Sequence, residues 1–210
     1  MELTEFTSEE FNQKVILMKF LKADLQRYYK NQSRYAKLST TKKIHLILAN
    51  YGLHAIFVYR FGNLIETKII DRKFYLIKKL LLGVYCILNF LIIKMYDIKI
   101  SRHARIAKGI YINHFSGIII SKCIIGENCT LHQRVQIEGN DSDLYKENCL
   151  IGNNVWIGPH AIIKKGIKIG DGAAISAGSI VQADVERNCL AIGNPAKILK
   201  KNFDNSELNL

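Results

Sequence analysis

The chain has 210 residues, and 49% of them are hydrophobic, which excludes a wholly disordered protein. The 30 lysines and arginines exceed the 18 aspartates and glutamates, giving a formal net charge of +12. A chain this basic is expected to meet phosphate groups, an acidic glycan or an anionic membrane surface, or else to use its lysines for solubility. We predict no nucleic acid among its partners.

The first residues and the cysteines indicate the compartment. Residues 1–11 are polar and acidic, unlike a signal peptide. The five cysteines show neither a CxxC motif nor the spacing of metal ligands. We therefore predict reduced thiols in a cytoplasmic protein, and no metal site. The cysteines are Cys86, Cys123, Cys129, Cys149 and Cys189.

The first half of the chain is predicted to be helical over residues 8–95. Its apolar residues recur at a period near 3.6, and Ser8 with Asn12 resembles the start of a helix. Gly52 and Gly62 are interpreted as breaks between helices. The later helices are predicted over residues 41–49, 53–66 and 74–95, with a linker over residues 30–40.

Residues 80–93 form an apolar run that is interrupted only by Gly83 and Asn89 and is flanked by lysines. A membrane span needs about 20 apolar residues, so this run is short. Three interpretations remain open: a buried helix of an N-terminal domain, which we prefer, a helix lying on a membrane surface, and a true span. The second would place the protein at the inner face of the membrane.

From Ile100 onwards, aliphatic residues recur with a period of six. Neither a helix nor an ordinary strand has this period, whereas a three-sided coil with one short strand and one tight turn per face does. Each aliphatic residue is expected to point inward and to stack on its counterpart about 18 residues away. The predicted inward residues are Ile100, Ile106, Ile112, Ile118, Ile125, Leu131, Ile137, Ile151, Ile157, Ile163, Ile169, Ile175 and Val181.

One polar and acidic segment, residues 138–150, interrupts the repeat. Regular hexads continue on both sides, so this segment must loop out of the stack. Long loops on rigid scaffolds are frequently functional.

The hexads, together with the segments NHFSGIII at residues 113–120 and AIGNPAK at residues 191–197, resemble the left-handed β-helix acyltransferases. The similarity covers residues 99–200 and is greatest to the serine O-acetyltransferase-like branch. It implies a helical N-terminal domain over residues 1–98 and a left-handed parallel β-helix over residues 99–210, with the loop and a C-terminal tail. It also implies a homotrimer whose active site lies between neighbouring β-helices, and direct transfer of acetyl from acetyl-CoA.

The resemblance also implies the catalytic base. In serine acetyltransferases a histidine lies in an Asp-His-Ala-Thr-Gly element, and His114 occupies the corresponding position. A neutral imidazole can take the proton of an attacking hydroxyl. Among the other five histidines we keep only His132, one coil further along, as a second candidate.

The acetyl-CoA site is likewise implied by the family. Gly139, Pro159 and Ala177 match positions that contact pantetheine, and small residues there let the donor approach. Lys197, followed by Lys200 and Lys201, is expected to meet the phosphates. The sequence has no glycine-rich nucleotide loop leading into a helix, so we do not expect ATP-type binding.

Departures from the serine enzymes bear on the acceptor. Asn113 replaces the aspartate before the base, Lys99 replaces an upstream aspartate, and Asn148 falls where a loop histidine is expected. Serine carries an ammonium group that favours a nearby carboxylate. The losses therefore favour a sugar hydroxyl, and the sequence resembles capsule, exopolysaccharide and lipopolysaccharide O-acetyltransferases.

Six residues are predicted to contact the carbohydrate acceptor. Two alternatives remain open: serine as the acceptor, in cysteine biosynthesis, and a non-catalytic β-helix scaffold. The predicted acceptor-binding residues are Asn113, His132, Glu138, Asp141, Asp143 and Asn148.

Overall fold

The structure is a computed structural model that describes residues 14–32, 39–68, 75–114, 116–139 and 148–208. Four helices come first, and those predicted over residues 41–49, 53–66 and 74–95 are confirmed to within two residues. The expected helix start at Ser8 and Asn12 lies outside the described residues. The helices are α1 (Lys14–Gln32), α2 (Thr40–Ala49), α3 (Tyr51–Lys68) and α4 (Tyr75–Tyr96).

Fifteen short strands follow the helices in the described residues. They are β1 (Ile98–Ile100), β2 (Arg105–Ile106), β3 (Tyr111–Asn113), β4 (Ile118–Ile120), β5 (Cys123–Ile125), β6 (Thr130–His132), β7 (Gln136–Ile137), β8 (Cys149–Ile151), β9 (Trp156–Ile157), β10 (Ile162–Ile163), β11 (Lys168–Ile169), β12 (Ala174–Ile175), β13 (Ile180–Val181), β14 (Cys189–Gly193) and β15 (Ala196–Lys201).

The strands form the three faces of a solenoid. Sheet 1 contains β1, β4, β7, β10 and β13, sheet 2 contains β2, β5, β8 and β11, and sheet 3 contains β3, β6, β9, β12, β14 and β15. Up to β14, consecutive strands belong to different sheets, and strands that pair within a sheet are parallel. The exception is the final hairpin, in which β14 and β15 lie in the same sheet and pair antiparallel. The predicted class, a helical region followed by a left-handed parallel β-helix, is confirmed.

The interior of the β-helix is built from the predicted hexad residues, each of which is at most 5% exposed. In the later coils the stacking partners are 18 residues apart, as in the pair Ile157 and Ile175. The first coil differs from this prediction: Ile118 lies opposite Ile98, and Ile120 lies opposite Ile137. The turn after β3 therefore contains two more residues than the turn after β6, and Ile120, not Ile118, is the hexad residue there.

The helices cover the open first coil, whose backbone groups have no further coil to pair with. The carboxylate of Asp24 accepts hydrogen bonds from the amides of Gly109 (2.7 Å) and Ile110 (3.1 Å). Arg60 donates to the carbonyl of Ala107 (2.7 Å) and forms an ion pair with Asp24 at 3.1 Å. Burial raises the pKa of Asp24 despite this ion pair.

Two buried tyrosines complete this junction. The hydroxyl of Tyr28 donates to the carbonyl of Ile112 and accepts from its amide. The hydroxyl of Tyr59 donates to the carbonyl of Ala104 (2.8 Å) and accepts from the amide of Ile106 (3.1 Å). Side chains from α1 and α3 thus replace the hydrogen bonds that a preceding coil would make.

The interpretation of Gly52 and Gly62 as helix breaks is wrong, because both lie within α3. A Cβ on Gly52 would come within 2.8 Å of Ile112, and one on Gly62 would overlap the ring of Tyr85. Glycine at these positions allows α3 to pack closely against the β-helix and α4.

The preferred prediction of a buried helix over residues 80–93 is also wrong. Only 11% of the most apolar window of α4 is buried. Tyr85 and Ile92 face the protein, while most other apolar side chains of the helix are exposed. Among the described helices, α4 is the one with the length and hydropathy to cross a membrane.

Candidate active site

His114 lies in a stack of turns, which we call the His114 corner, that lead from sheet 3 to sheet 1. The turns are linked by backbone hydrogen bonds, from Arg134 to Ser116 (2.8 Å), from His160 to Gln133 (3.0 Å) and from Gly178 to Pro159 (2.8 Å). The corner consists of residues 114, 116–117, 133–135, 158–161 and 176–179.

His114 lies in the lengthened first turn of this corner. Its side chain is exposed, and its backbone has a φ of +59°. Histidine is enriched among the non-glycine residues that adopt this left-handed conformation. Gly117 follows with a φ of +68°, and a Cβ there would come within 2.7 Å of the Arg134 side chain. The two extra residues therefore bring an imidazole to the surface at the end of β3.

His132 lies next to His114 on the following coil, as predicted, although its register partner is Asn113. Its ring contacts the ring of Trp156 edge-on, with the centroids 4.9 Å apart. Burial, and secondly the charge of His114, lower the pKa of His132 to about 4. His132 is therefore neutral at neutral pH and adds no positive charge beside His114.

Trp156 and Arg134 were not selected by sequence analysis. Trp156 is the only tryptophan of the chain, and it occupies an outward position of sheet 3, opposite Thr130. An outward tryptophan within a hexad repeat was the available signal. Arg134 gave none, because its place beside Gly117 depends on the longer first turn.

Three of the four predicted donor-binding residues belong to this side of the β-helix. Pro159 and Ala177 lie in the His114 corner, on successive coils. Lys197 is exposed on β15, opposite Ile192 near the end of β14. Neighbouring strands are about 4.8 Å apart, so the five steps from β3 to β15 span about 24 Å. The residues that follow the sheet 3 strands form a row along this side of the β-helix, with His114 at one end and Lys197 at the other.

The row is closely packed between these ends. A Cβ on Gly158 would come within 2.7 Å of the Ala177 amide, so the coils could not stack as they do with a larger residue there. Further along the tail, Lys200 lies over the ring of Phe203 at 5.9 Å. Lys201 pairs with Glu186 at 3.1 Å.

The described ends of the loop lie at a different corner, where sheet 1 leads to sheet 2. Gly139 packs against the backbone of Lys122, in the turn between β4 and β5. The carboxylate of Glu138 accepts a hydrogen bond from the ammonium of Lys164 at 2.7 Å. Asn148 is buried, with 5% of its surface exposed.

The structure therefore does not bring Glu138, Gly139 and Asn148 together with His114 in one chain. The two corners are separated by the width of sheet 1, because the loop begins after β7 and His114 follows β3. Asp141 and Asp143 lie outside the described residues. The acceptor and donor roles given to these loop residues remain predictions.

Within the described parts of the chain, no group of three or more His, Cys, Asp or Glu side chains could hold a metal ion. Cys129 and Cys149 are buried, and their thiols donate to backbone carbonyls of Gly152 (3.1 Å) and Glu138 (2.9 Å) respectively. Their contacts are those of packed interior residues.

The chain is similar to known hexapeptide-repeat transferases. Residues 148–183 match the family described as bacterial transferase hexapeptide (six repeats). The serine acetyltransferase of Bacillus subtilis is 30% identical over 158 residues, which cover 75% of this chain and 68% of the relative. The serine acetyltransferase of Synechococcus elongatus is 33% identical over 103 residues, which cover 49% of this chain and only 42% of that protein. The structure of soybean serine acetyltransferase complexed with serine aligns with a TM-score of 0.72 and 26% identity, covering 91% of this chain and 72% of the soybean chain.

Proposed function

This chain belongs to the serine acetyltransferase family of left-handed β-helix acyltransferases, and from this premise we propose that it transfers the acetyl group of acetyl-CoA to the hydroxyl of L-serine. The observation that carries the proposal is that its relatives match the helical region as well as the β-helix, and are named for this acceptor. The sequence departures at Asn113, Lys99 and Asn148 favour a sugar hydroxyl, whereas the family match favours serine, the alternative acceptor.

The chemistry is supported by the exposed imidazole of His114. A hydroxyl is a weak nucleophile, and a base that takes its proton during attack accelerates the reaction. The acceptor oxygen forms a bond to the thioester carbonyl carbon, the carbon–sulfur bond breaks, and the proton taken by His114 passes to the departing CoA thiolate. Neutral His132 is placed to position His114 or the acceptor without adding charge.

The row from His114 to Lys197 suits an extended donor. Pro159 and Ala177, in the middle of the row, have short side chains, which lets an extended molecule approach the backbone there. Lys197 supplies positive charge at the far end. Phosphates bind well to such ammonium groups. The thioester would then lie at the His114 end, where the acceptor is activated.

A homotrimer is part of the proposal. Gly139 and the other described ends of the loop lie at another corner from His114. They can serve one site with His114 only if this corner of one copy faces the His114 corner of the next. Loss of the trimer in a loop-shortened variant, with loss of turnover, would support this arrangement.

A sugar hydroxyl, as in surface polysaccharide biosynthesis, remains a second candidate because of specific residues. Asn113, beside His132, and exposed Lys99 stand where acids are expected for the serine ammonium group. Glu138 is already paired with Lys164. A neutral acceptor would need no carboxylate.

The two candidates are separated by measuring release of the CoA thiol from acetyl-CoA by the full-length protein. The proposal predicts saturable release with L-serine, and a product identified by mass as O-acetylserine. D-serine serves as the matched control, because it carries the same groups in the wrong geometry. Release with oligosaccharides but not with L-serine would overturn the serine assignment in favour of the second candidate. If acetyl-CoA binds but no CoA thiol is released with any acceptor, both candidate functions are contradicted.

A further inference from the structure

The outer side of α4 is an apolar surface that none of the described residues covers. Six of its exposed side chains retain between 45% and 78% of their accessible surface. Soluble proteins seldom expose a large contiguous apolar patch without a partner for it. The side chains are Leu76, Leu80, Ile87, Phe90, Leu91 and Met95.

The exposed part of α4 is wider than the stripe that faces the protein. Buried Tyr85 and Ile92 mark the stripe that faces the protein, and α3 is the helix packed against it. At about 100° per residue, the six named side chains span about 140° of the circumference, and all the exposed positions of α4 together span about 220°. A single partner helix covers a stripe of only about 100°, so pairing with one helix of a second copy would leave apolar surface in water.

Positive charge lies at both ends of the helix. Lys78 and Lys79 precede the apolar segment and Lys94 ends it, and α4 contains no Asp or Glu. Lys79 lies over the ring of Tyr75 at 4.7 Å, and Lys94 over that of Phe90 at 5.8 Å. Lysines next to apolar surface can extend to the level of lipid headgroups.

We propose that α4 docks the protein onto the surface of an anionic lipid bilayer. The apolar arc enters the boundary between headgroups and acyl chains, and the terminal lysines bind anionic headgroups. The 14 residues between Lys79 and Lys94 are about 21 Å long, shorter than the roughly 30 Å hydrocarbon core. Packing against α3 also keeps one side of α4 on the protein, so it lies in the plane of the surface. This inference does not depend on the acceptor.

The test is co-sedimentation of the full-length protein with sucrose-loaded vesicles of phosphatidylcholine, with and without phosphatidylglycerol. We expect pelleting with the anionic vesicles and much less with the neutral ones. The triple variant Leu80→Ser/Ile87→Ser/Leu91→Ser should lose at least about tenfold in affinity for the anionic vesicles. Lys79→Gln/Lys94→Gln should lose about fivefold per lysine on anionic vesicles.

Leu199→Ser is the matched control, since Leu199 is 65% exposed but lies on β15. It should bind vesicles like the wild type, and circular dichroism checks that every variant folds. No pelleting of the wild type with anionic vesicles would overturn the proposal. So would a lower oligomeric mass of the triple variant without lipid, which would assign the surface to a second copy. Wild-type protein retained by vesicles after alkaline carbonate would instead indicate a span.

Discussion

The β-helix and the helical region are stabilised by different chemistry. In the β-helix, aliphatic rows stack from coil to coil, and each inward residue repeats the role of its neighbours. At the junction with the helices, a buried ion pair and two tyrosine hydroxyls bind the backbone of the first coil. The β-helix buries its aliphatic side chains, whereas α4 exposes most of its own on the outside of the helical region. The first coil of the β-helix cannot pair its backbone with a preceding coil, so polar side chains from outside the repeat must bind those backbone groups.

The largest expected loss of stability comes from breaking the junction. Asp24→Ala leaves buried Arg60 without its ion pair and removes the acceptor of two amides, which should lower the free energy of unfolding by about 3–5 kcal/mol. Asp184→Ala is the control, because exposed Asp184 also accepts from an amide, that of Lys168. It should cost only about 0.5–1.5 kcal/mol. Urea unfolding measures both, and equal losses would contradict a special role for the junction.

Truncation of an inward aliphatic residue should have the next largest effect. Ile157→Ala leaves a cavity in a fully buried row, at an expected cost of about 2–5 kcal/mol. Ile87→Ala removes the same atoms from exposed α4, and its effect should stay within about 0.5 kcal/mol. Thermal unfolding of the two variants separates the regions. A similar loss at Ile87 would mean that α4 is covered in solution without lipid.

Glycines within the helical region give a smaller contrast. Gly62→Ala places a methyl group against the ring of Tyr85 and should destabilise by about 1–3 kcal/mol. Gly83→Ala, with nothing within 4 Å, should instead stabilise α4 by about 0.5–1 kcal/mol. Chemical unfolding of both proteins reports the sign. A stabilising Gly62→Ala would refute the close approach of α3 and α4.

The smallest effect concerns pH at the His114 corner. The pKa of His132 is lowered from 6.5 to about 4 in the folded protein, so between these values the unfolded chain binds the additional proton. Stability should therefore decrease as pH falls from about 6.5 to about 4. His132 is partly exposed, so the change will be modest. His132→Gln should flatten this part of the profile of urea midpoints against pH, and an unaltered slope would contradict the assignment.

Sequence periodicity predicted the β-helix because its interior uses one residue class in a fixed repeat. It misplaced the phase at Ile118, since Ile118 and Ile120 are both aliphatic and only the strand register selects Ile120. Asp24 and Arg60 could not be predicted as partners, because 36 residues separate them and no period relates them.

The candidate site was predicted in part. His114 was identified by resemblance, and its neighbour His132 by coil spacing. The loop residues were assigned to the same site, but Gly139 lies at another corner. Counting strands from β3 to β7 could have shown this, whereas the contact of Trp156 with His132 required three-dimensional coordinates.

The most direct test of the central claim is turnover of His114→Ala with acetyl-CoA and L-serine, compared with His45→Ala. His45 is also exposed but lies on α2, away from both corners of the proposed site. We expect kcat to fall by about 10²- to 10⁴-fold in His114→Ala. Acetyl-CoA should still bind, by calorimetry, and His45→Ala should turn over normally. A His114→Ala protein with wild-type kcat would contradict the assignment of His114 as the base.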